Sequence, residues 1–242
     1  MIESAYIRLS GPLQSWAGSV VTGNIVRTEP RPTFSSLRGL LAGALGARRG
    51  EWPNWLDDVE FWVREDRKPI VVNEFQTINP LPEVETFRKR LLIAQGRKAN
   101  SAKALTFTPD AQGGTSIVNR TYLADGEYLV RVTSSTHMDE IENAFSSPAF
   151  VTYLGRKAFY AEFPFYLGRG SADAFEKIPV VHRNSDESKA QKSQVVLATK
   201  FGRYFPVSGL HSKIQIPVVE SDDARLTQIS DLLDIRRTAA NR

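Results

Sequence analysis

Residues 31–46 read RPTFSSLRGLLAGALG, and the spacing of their apolar side chains decides how the rest is read. Leu37, Leu40, Leu41, Ala44 and Leu45 fall at i, i+3, i+4, i+7 and i+8, one stripe of an amphipathic helix. Thr33, Ser35 or Ser36 is suited to cap its start, Arg48 and Arg49 to its last turn, and Gly50 to its C′ position. Gly39, Gly43 and Gly46 lower helix propensity, and their reading is a helix lying close against a sheet. Upstream, Ser4–Ser10 alternates, with Ala5, Ile7 and Leu9 on one side and Tyr6 and Arg8 on the other, as a strand does. Between them, Gly11-Pro12, Gly18, Gly23, Pro30 and Pro32 break any regular element.

Downstream, Val59–Arg64 and Pro69–Phe75 are strand-like in their β-branched and aromatic content. A stretch of low periodicity follows, and a strand returns within Arg120–Val132. A second helix is expected from Thr136, where Thr136 and Asp139 resemble a capping box and Met138, Ile141, Ala144 and Phe145 share a face, ending at Pro148. Tyr153–Phe163 reads as a Leu-Gly-Arg-Lys turn and another strand. The order β-α-β, insertion, β-α-β predicts an α+β fold of ferredoxin-like type. After Pro164 only short strands are expected, at Gln194–Ala198 and Lys213–Val219, before a polar tail containing Asp222-Asp223. Thus residues 1–165 are expected to form one domain and 166–242 a smaller, irregular, β-rich C-terminal extension.

A chain of 242 residues can build a core without disulfides. It has no cysteine, which removes thiolate metal sites and cysteine nucleophiles and fits a reducing compartment. No apolar run approaches the roughly 18 residues of a membrane span. The opening MIESAYIRLSGPLQ lacks a basic region followed by an apolar one, so neither signal peptide nor membrane partner is expected. The net charge is +4, and its location is informative. Between Leu81 and Arg120 lie Arg88, Lys89, Arg90, Arg97, Lys98, Lys103 and Arg120 against Glu83, Glu85 and Asp110, an excess equal to that of the whole chain. One basic insertion on a neutral body is the footprint of a phosphate-backbone partner, although solvated lysines that aid solubility explain it about as well.

Phosphate-binding P-loops, HExxH, GxSxG and strand-linked GxGxxG motifs are absent, and nothing calls for a metal or cofactor. His137, His182 and His211 are dispersed; His137 fits a surface or capping role, and His182 or His211 is a candidate general base for RNA cleavage. Arg27, Arg31 and Arg38 bracket the first helix start, whose free N–H groups favour phosphate. Trp16, Phe34, Phe87 and Tyr122 lie near basic residues and are candidates to stack on bases. Core packing is the ordinary alternative for aromatics and is taken for Trp52, Trp55, Phe61 and Trp62.

Four motifs in order resemble one family. Residues 7–16, IRLSGPLQSW, resemble its opening strand and Leu-x-Gly-Pro-Leu-Gln-Ser-Trp-Gly motif; residues 31–46 resemble its first helix. Asn119–Asp125, NRTYLAD, is similar to its Arg-Glu-Tyr-Leu-Ala-Asp stretch, and Leu154-Gly155-Arg156-Lys157 to its Leu-Gly-Arg-Lys-Ser-Cys loop. The family is CasD, the repeat-associated mysterious protein (RAMP) subunit of type I-E CRISPR Cascade, and the similarity runs from about residue 3 to 168. Ala17 stands before Gly18, Ser36-Leu37-Arg38 replaces Ser-Gly, and Ala158-Phe159 replaces Ser-Cys.

The resemblance implies a modified ferredoxin-like, RRM-like domain with a β-hairpin thumb at about 77–119. It implies a non-catalytic, cytoplasmic prokaryotic subunit that caps the Cascade backbone and holds the crRNA 5′ handle. Expected partners are crRNA, the backbone subunit CasC and the large subunit CasA, with target DNA reached only through the complex. Arg31, Arg38, Arg156 and Lys157 would take handle phosphates, with Gln14 and Trp16 facing bases. Arg27, Thr33, Arg120, Tyr122 and the thumb cations Arg88, Lys89, Arg90, Arg97, Lys98 and Lys103 complete the expected RNA-binding set. Metal-independent processing of precursor crRNA, as in type I-C relatives, is the rival activity, and a pure assembly role for the basic segment the third reading.

Overall fold

The computed structural model describes residues 3–17, 25–78, 96, 116–181, 190–199 and 211–234. In chain order the strands are β1 (Glu3–Ser10), β2 (Leu13–Gln14), β3 (Trp16–Ala17), β4 (Ile25–Val26), β5 (Thr28–Glu29), β6 (Glu60–Arg67), β7 (Ile70–Ile78), β8 (Ser116–Ala124), β9 (Glu127–Thr133), β10 (Tyr166–Ser171), β11 (Val180–Val181), β12 (Ala190–Ala198) and β13 (His211–Val219). The helices are α1 (Phe34–Ala44), α2 (Met138–Ser146), α3 (Ala174–Lys177) and α4 (Asp222–Leu232).

Contacts group the chain into two compact units, residues 1–17, 29–70 and 123–242, and residues 18–28 and 71–122. The first holds a seven-stranded sheet ordered β10-β1-β9-β6-β12-β13-β11. It is antiparallel from β10 to β13, and β11 joins β13 in parallel. Alternation in β1 decides its two faces. Ala5, Ile7 and Leu9 meet Phe61 and Val63 of β6, Val130 and Val132 of β9, and the apolar faces of α1 (Leu37, Leu41) and α2 (Ile141, Phe145). On the opposite face Tyr6, Leu129 and Val195 pack with Phe175 and Ile178 around α3 and with Ile229 and Leu233 around α4. Fully burying a large apolar side chain contributes about 1.5–3 kcal/mol, so the two layers are what hold the sheet.

Helix α1 begins where its sequence indicates: the Thr33 hydroxyl accepts a hydrogen bond from Ser36 N (3.3 Å). It ends earlier than expected. Ala47 N donates to Ala42 O (2.9 Å) around the left-handed Gly46, so Arg48, Arg49 and Gly50 lie beyond the helix. The helical glycines also have a different setting from the one expected. Gly39 faces Trp52, and Gly43 has nothing within 4 Å of where a Cβ would stand.

Other local expectations shift for identifiable reasons. Helix α2 starts at Met138 without the Thr136–Asp139 box, because the Ser134 hydroxyl takes the N–H groups of Thr136 and His137 while Thr136 bonds the His137 ring. Residues 153–163 form a loop with a single Tyr153–Tyr160 bridge, and the strand expected there is β10, further on. Asp222 and Asp223 are not a solvated tail; they open α4, capped by Ser221 Oγ on Ala224 N (3.2 Å). Strands β12 and β13, from the expected C-terminal extension, continue the sheet of the first unit beyond β6.

In the second unit β7 pairs with β8, and β4 lies parallel to β8 with Ile25 opposite Asn119 and Val26 opposite Arg120. Thr28 N donates to Thr121 Oγ1 (2.9 Å), and the Tyr122 hydroxyl donates to Glu74. Val71, Phe75 and Ile117 are exposed on this sheet. Most of the expected thumb, about 77–119, lies outside the described residues.

Candidate nucleic-acid interface

Two motifs far apart in sequence are locked together by backbone. Ser15 N donates to Leu154 O (3.0 Å), and Glu162 N donates to Ser10 O (2.8 Å), with Ser10 Oγ bonding the Glu162 carboxylate (2.7 Å). Within the loop, Leu154 N donates to Phe159 O (2.7 Å) and Phe159 N to Arg156 O (2.8 Å). Gly155 has φ +87°, and a Cβ there would stand 1.6 Å from Ser15 O. Only glycine permits that approach. The Gly-Pro-Leu-Gln-Ser-Trp turn and the Leu-Gly-Arg-Lys loop are therefore one structural object, which leaves Lys157 exposed and Arg156 half-buried.

Gln14 and Trp16, expected to face bases, are interior. Gln14 is fully buried, its Nε2 donating to Leu9 O (3.3 Å) and Gly126 O (2.6 Å) while its Oε1 accepts from Trp16 Nε1 (3.2 Å). Trp16 is 1% exposed and packs in the core under α1. Their polar atoms are consumed by one another and by backbone, so their role is to hold the turn. The sequence showed a polar, turn-rich stretch; the loop at 154–162 that covers it comes from the far half of the chain.

The cations near α1 are engaged. Arg31 Nε sits 3.3 Å from Glu65 Oε2, and its Nη2 donates to Gln194. Arg38 pairs with Asp57 and lies 4.9 Å over the Trp52 ring. Phosphate at these two arginines would compete with the partners they already have. Thr33 caps the helix, and Phe34 packs edge-on against Phe61 with centroids 5.8 Å apart. In the second unit Arg27 is exposed, Arg120 is half-buried with Nε lacking a partner among the described residues, and Tyr122 is buried. Phe87, Arg88, Lys89, Arg90, Arg97, Lys98 and Lys103 lie outside the described residues. So do His182 and the side chain of His211, while His137 stacks flat on Trp55 at 4.4 Å. Trp52, Trp55 and Trp62 pack on the two cores and Phe61 is buried, as expected. Among the described residues no cluster of His, Asp and Glu could hold a metal, and no helix is long and apolar enough to cross a membrane.

Sequence reasoning missed the strongest electrostatic feature, a buried ionic cluster in the first unit. Arg8 Nε lies 3.1 Å from Glu127 Oε1, the same carboxylate accepts from Arg225 of α4, and Arg225 Nη2 lies 3.7 Å from Asp66 Oδ2. Arg64, fully buried, chelates Asp66 (2.6 and 3.0 Å) and donates to Ile178 O (2.9 Å) and Phe175 O. Burial alone would raise Glu127, but Arg225 and Arg8 outweigh it and hold its carboxyl down at about 2. For Asp66 burial wins, and its carboxyl sits above the usual range despite Arg64 and Arg225. No local pattern announces the cluster, because its members meet only through strand pairing and the docking of α4.

Comparison with known proteins gives one answer. A family model described as CRISPR-associated protein (Cas_Cas5) matches residues 6–215. A curated relative, the CRISPR system Cascade subunit CasD of Escherichia coli (strain K12), is 27% identical over 181 residues, 71% of this chain and 73% of the relative. A solved chain from a CRISPR RNA-guided surveillance complex superposes with a TM-score of 0.66 at 26% identity, covering 94% of this chain and 99% of its own. A second, titled as the crystal structure of a Cas protein, shares the fold with a TM-score of 0.56 at 24% identity over 90% and 98%. The four motifs read from the sequence thus led to the same family.

Proposed function

We propose, from the premise that this chain belongs to the CRISPR-associated Cas5 family, that it is a crRNA-binding subunit of a type I-E Cascade complex. In this reading it is non-catalytic, cytoplasmic and prokaryotic; it caps the backbone beside CasC, contacts CasA, and holds the crRNA 5′ handle for DNA interference. The observation that carries the reading is the near full-length likeness, 94% of this chain on 99% of the other, to a chain of an RNA-guided surveillance complex. The order β10-β1-β9-β6, with α1 after β1 and α2 after β9, supports a ferredoxin-like core. The insertion between β6 and β9 then occupies the thumb position, and its cations account for the charge excess.

The burial of Gln14 and Trp16 moves the proposed RNA contacts onto other cations: exposed Lys157 and half-buried Arg156 on the locked loop, exposed Arg27, and the cations of the insertion. Arg31 and Arg38 act by exchanging a carboxylate for a phosphate. With about four phosphates neutralised, log K for single-stranded RNA falls with log salt at a slope near −3, from roughly −0.7 per contact. Affinity independent of salt would refute this reading. Specific cleavage of repeat RNA by the pure protein in EDTA, lost in a His182→Ala or His211→Ala variant, would replace it with the endoribonuclease.

A further inference from the structure

The face of the sheet that α1 and α2 cover does not end where their cover ends. On β10, β1, β9 and β6 that face is apolar core, carrying Ile7, Val130 and Val63. Two strands further along, the same face presents Lys192 and Gln194 on β12, and Lys213 and Gln215 on β13. Strand pairing fixes this assignment. Val196 is opposite Val63 and Gln194 is opposite Glu65 on β6, while Gln194 is opposite Lys213 and Lys192 opposite Gln215. The intervening Ser193 and Val195 point to the other face and are buried. Side chains at paired positions and at i, i+2 share a face, so the four form a block with each lysine beside a glutamine and the lysines on the diagonal. Lys192, Lys213 and Gln215 are exposed, and Gln194 is half-buried.

Among the described residues, neither Lys192 nor Lys213 forms an ion pair. Glu65, the acidic residue flanking it on β6, is already held by Arg31, whose other arm reaches Gln194. Lysines commonly guard sheet edges against pairing, and β13 meets β11 only at Val218 and Val219, so edge protection is one use for Lys213; β12 lies between β6 and β13. Glutamine amides that donate and accept beside each ammonium suit a ligand carrying both phosphates and base or ribose edges. An acidic peptide would meet the same cations and offer the amides only its backbone.

We propose that this strip of β12 and β13 is an additional binding site for single-stranded RNA, Lys192 and Lys213 taking phosphates and Gln194 and Gln215 meeting base or ribose edges. It rests on the RNA-binding reading above and extends it onto the C-terminal hairpin, outside all four sequence motifs. The test is titration of the full-length protein and its K192A/K213A variant with a labelled, unstructured RNA oligonucleotide at several salt concentrations. Two lost contacts remove about 1.4 from the magnitude of the log–log slope and weaken binding about 25-fold at 0.1 M salt. The K192R/K213R variant retains the wild-type slope, and unchanged thermal unfolding shows that the fold is intact. Wild-type binding with the usual salt slope, unaltered in the alanine variant, overturns the strip and leaves the RNA-binding reading standing. Failure of the wild-type protein itself to bind RNA overturns both. Loss of polyglutamate binding with RNA affinity unchanged assigns the strip to an acidic protein segment and overturns it as well.

Discussion

Replacing Glu127 by glutamine is the sharpest test of what holds the first unit together. The carboxylate lies between Arg8 and Arg225, and it titrates at about 2 against an ordinary 4.5. At 1.36 kcal/mol per pH unit that difference corresponds to about 3 kcal/mol of stability at neutral pH. A buried pair broken by removing one partner costs about 3–5 kcal/mol, a similar figure reached independently. The sign follows from the direction. A carboxyl depressed in the folded state stabilises fully above about 4.5 and loses that contribution as pH falls toward about 2. Asp66 works oppositely: its raised carboxyl takes up a proton on acidification and gains stability there, so the wild-type pH profile alone mixes both effects. The difference between wild type and Glu127→Gln isolates the Glu127 contribution. Urea unfolding followed by tryptophan fluorescence should show a gap of about 3 kcal/mol at pH 7 that narrows steadily from about pH 5 to pH 3. A gap below about 1 kcal/mol at pH 7, or one that is constant with pH, would refute the assignment of a paired, charged Glu127.

Three further substitutions probe the site's scaffold. Gly155→Ala places a Cβ against Ser15 O and adds about 1–2 kcal/mol of left-handed strain, so thermal unfolding should drop by about 3 kcal/mol in total; a loss under 1 kcal/mol would show the two motifs are not locked. Gln14→Ala removes the donor to Leu9 O and Gly126 O and the acceptor of the Trp16 Nε1 bond, and should cost about 3 kcal/mol in urea unfolding, whereas a residue serving only RNA would cost almost nothing. Thr33→Ala removes the cap of α1 and should cost about 1 kcal/mol, with Thr33→Ser restoring most of it; equal stability of all three would place the helix start elsewhere.

The elements readable in the sequence are those whose signals are local. Strand β1 alternates and α1 carries its stripe and its cap within a dozen residues, so β1 and the start of α1 are legible, whereas α1 ends at Ala44, before the expected Arg48 and Arg49. Strand β10, YLGRGS, was missed because Gly168 and Gly170 weaken its strand signal. Their reason is distant: the chain at Leu233 and Asp234 passes over them, within 3.0 Å of where each Cβ would stand. Helix α4 reads as a tail because it is mostly polar, burying only Arg225 and Ile229, and the partners that draw Arg225 inward belong to other strands. The same non-locality misled the reading of Gln14 and Trp16. Their sequence neighbours are turn residues, but the cover over them arrives from residues 154–162. Family motifs survived this difficulty because they record both halves of such a contact without revealing that they touch.

The position of β1 in the sheet sets a timetable for biosynthesis. Its apolar face is complete once Ser10 has left the ribosome, yet its neighbours are Glu127–Thr133 on one side and Tyr166–Ser171 on the other. The nearer of these follows by about 120 residues, which at roughly 5–20 residues per second leaves β1 unpaired for on the order of ten seconds. During that interval Ile7 and Leu9 are available to chaperones or to a neighbouring nascent chain, and the seven-stranded sheet is closed largely by residues made last. Expression at a lower translation rate prolongs the exposure, and supplying a holdase during synthesis is the remedy the topology indicates.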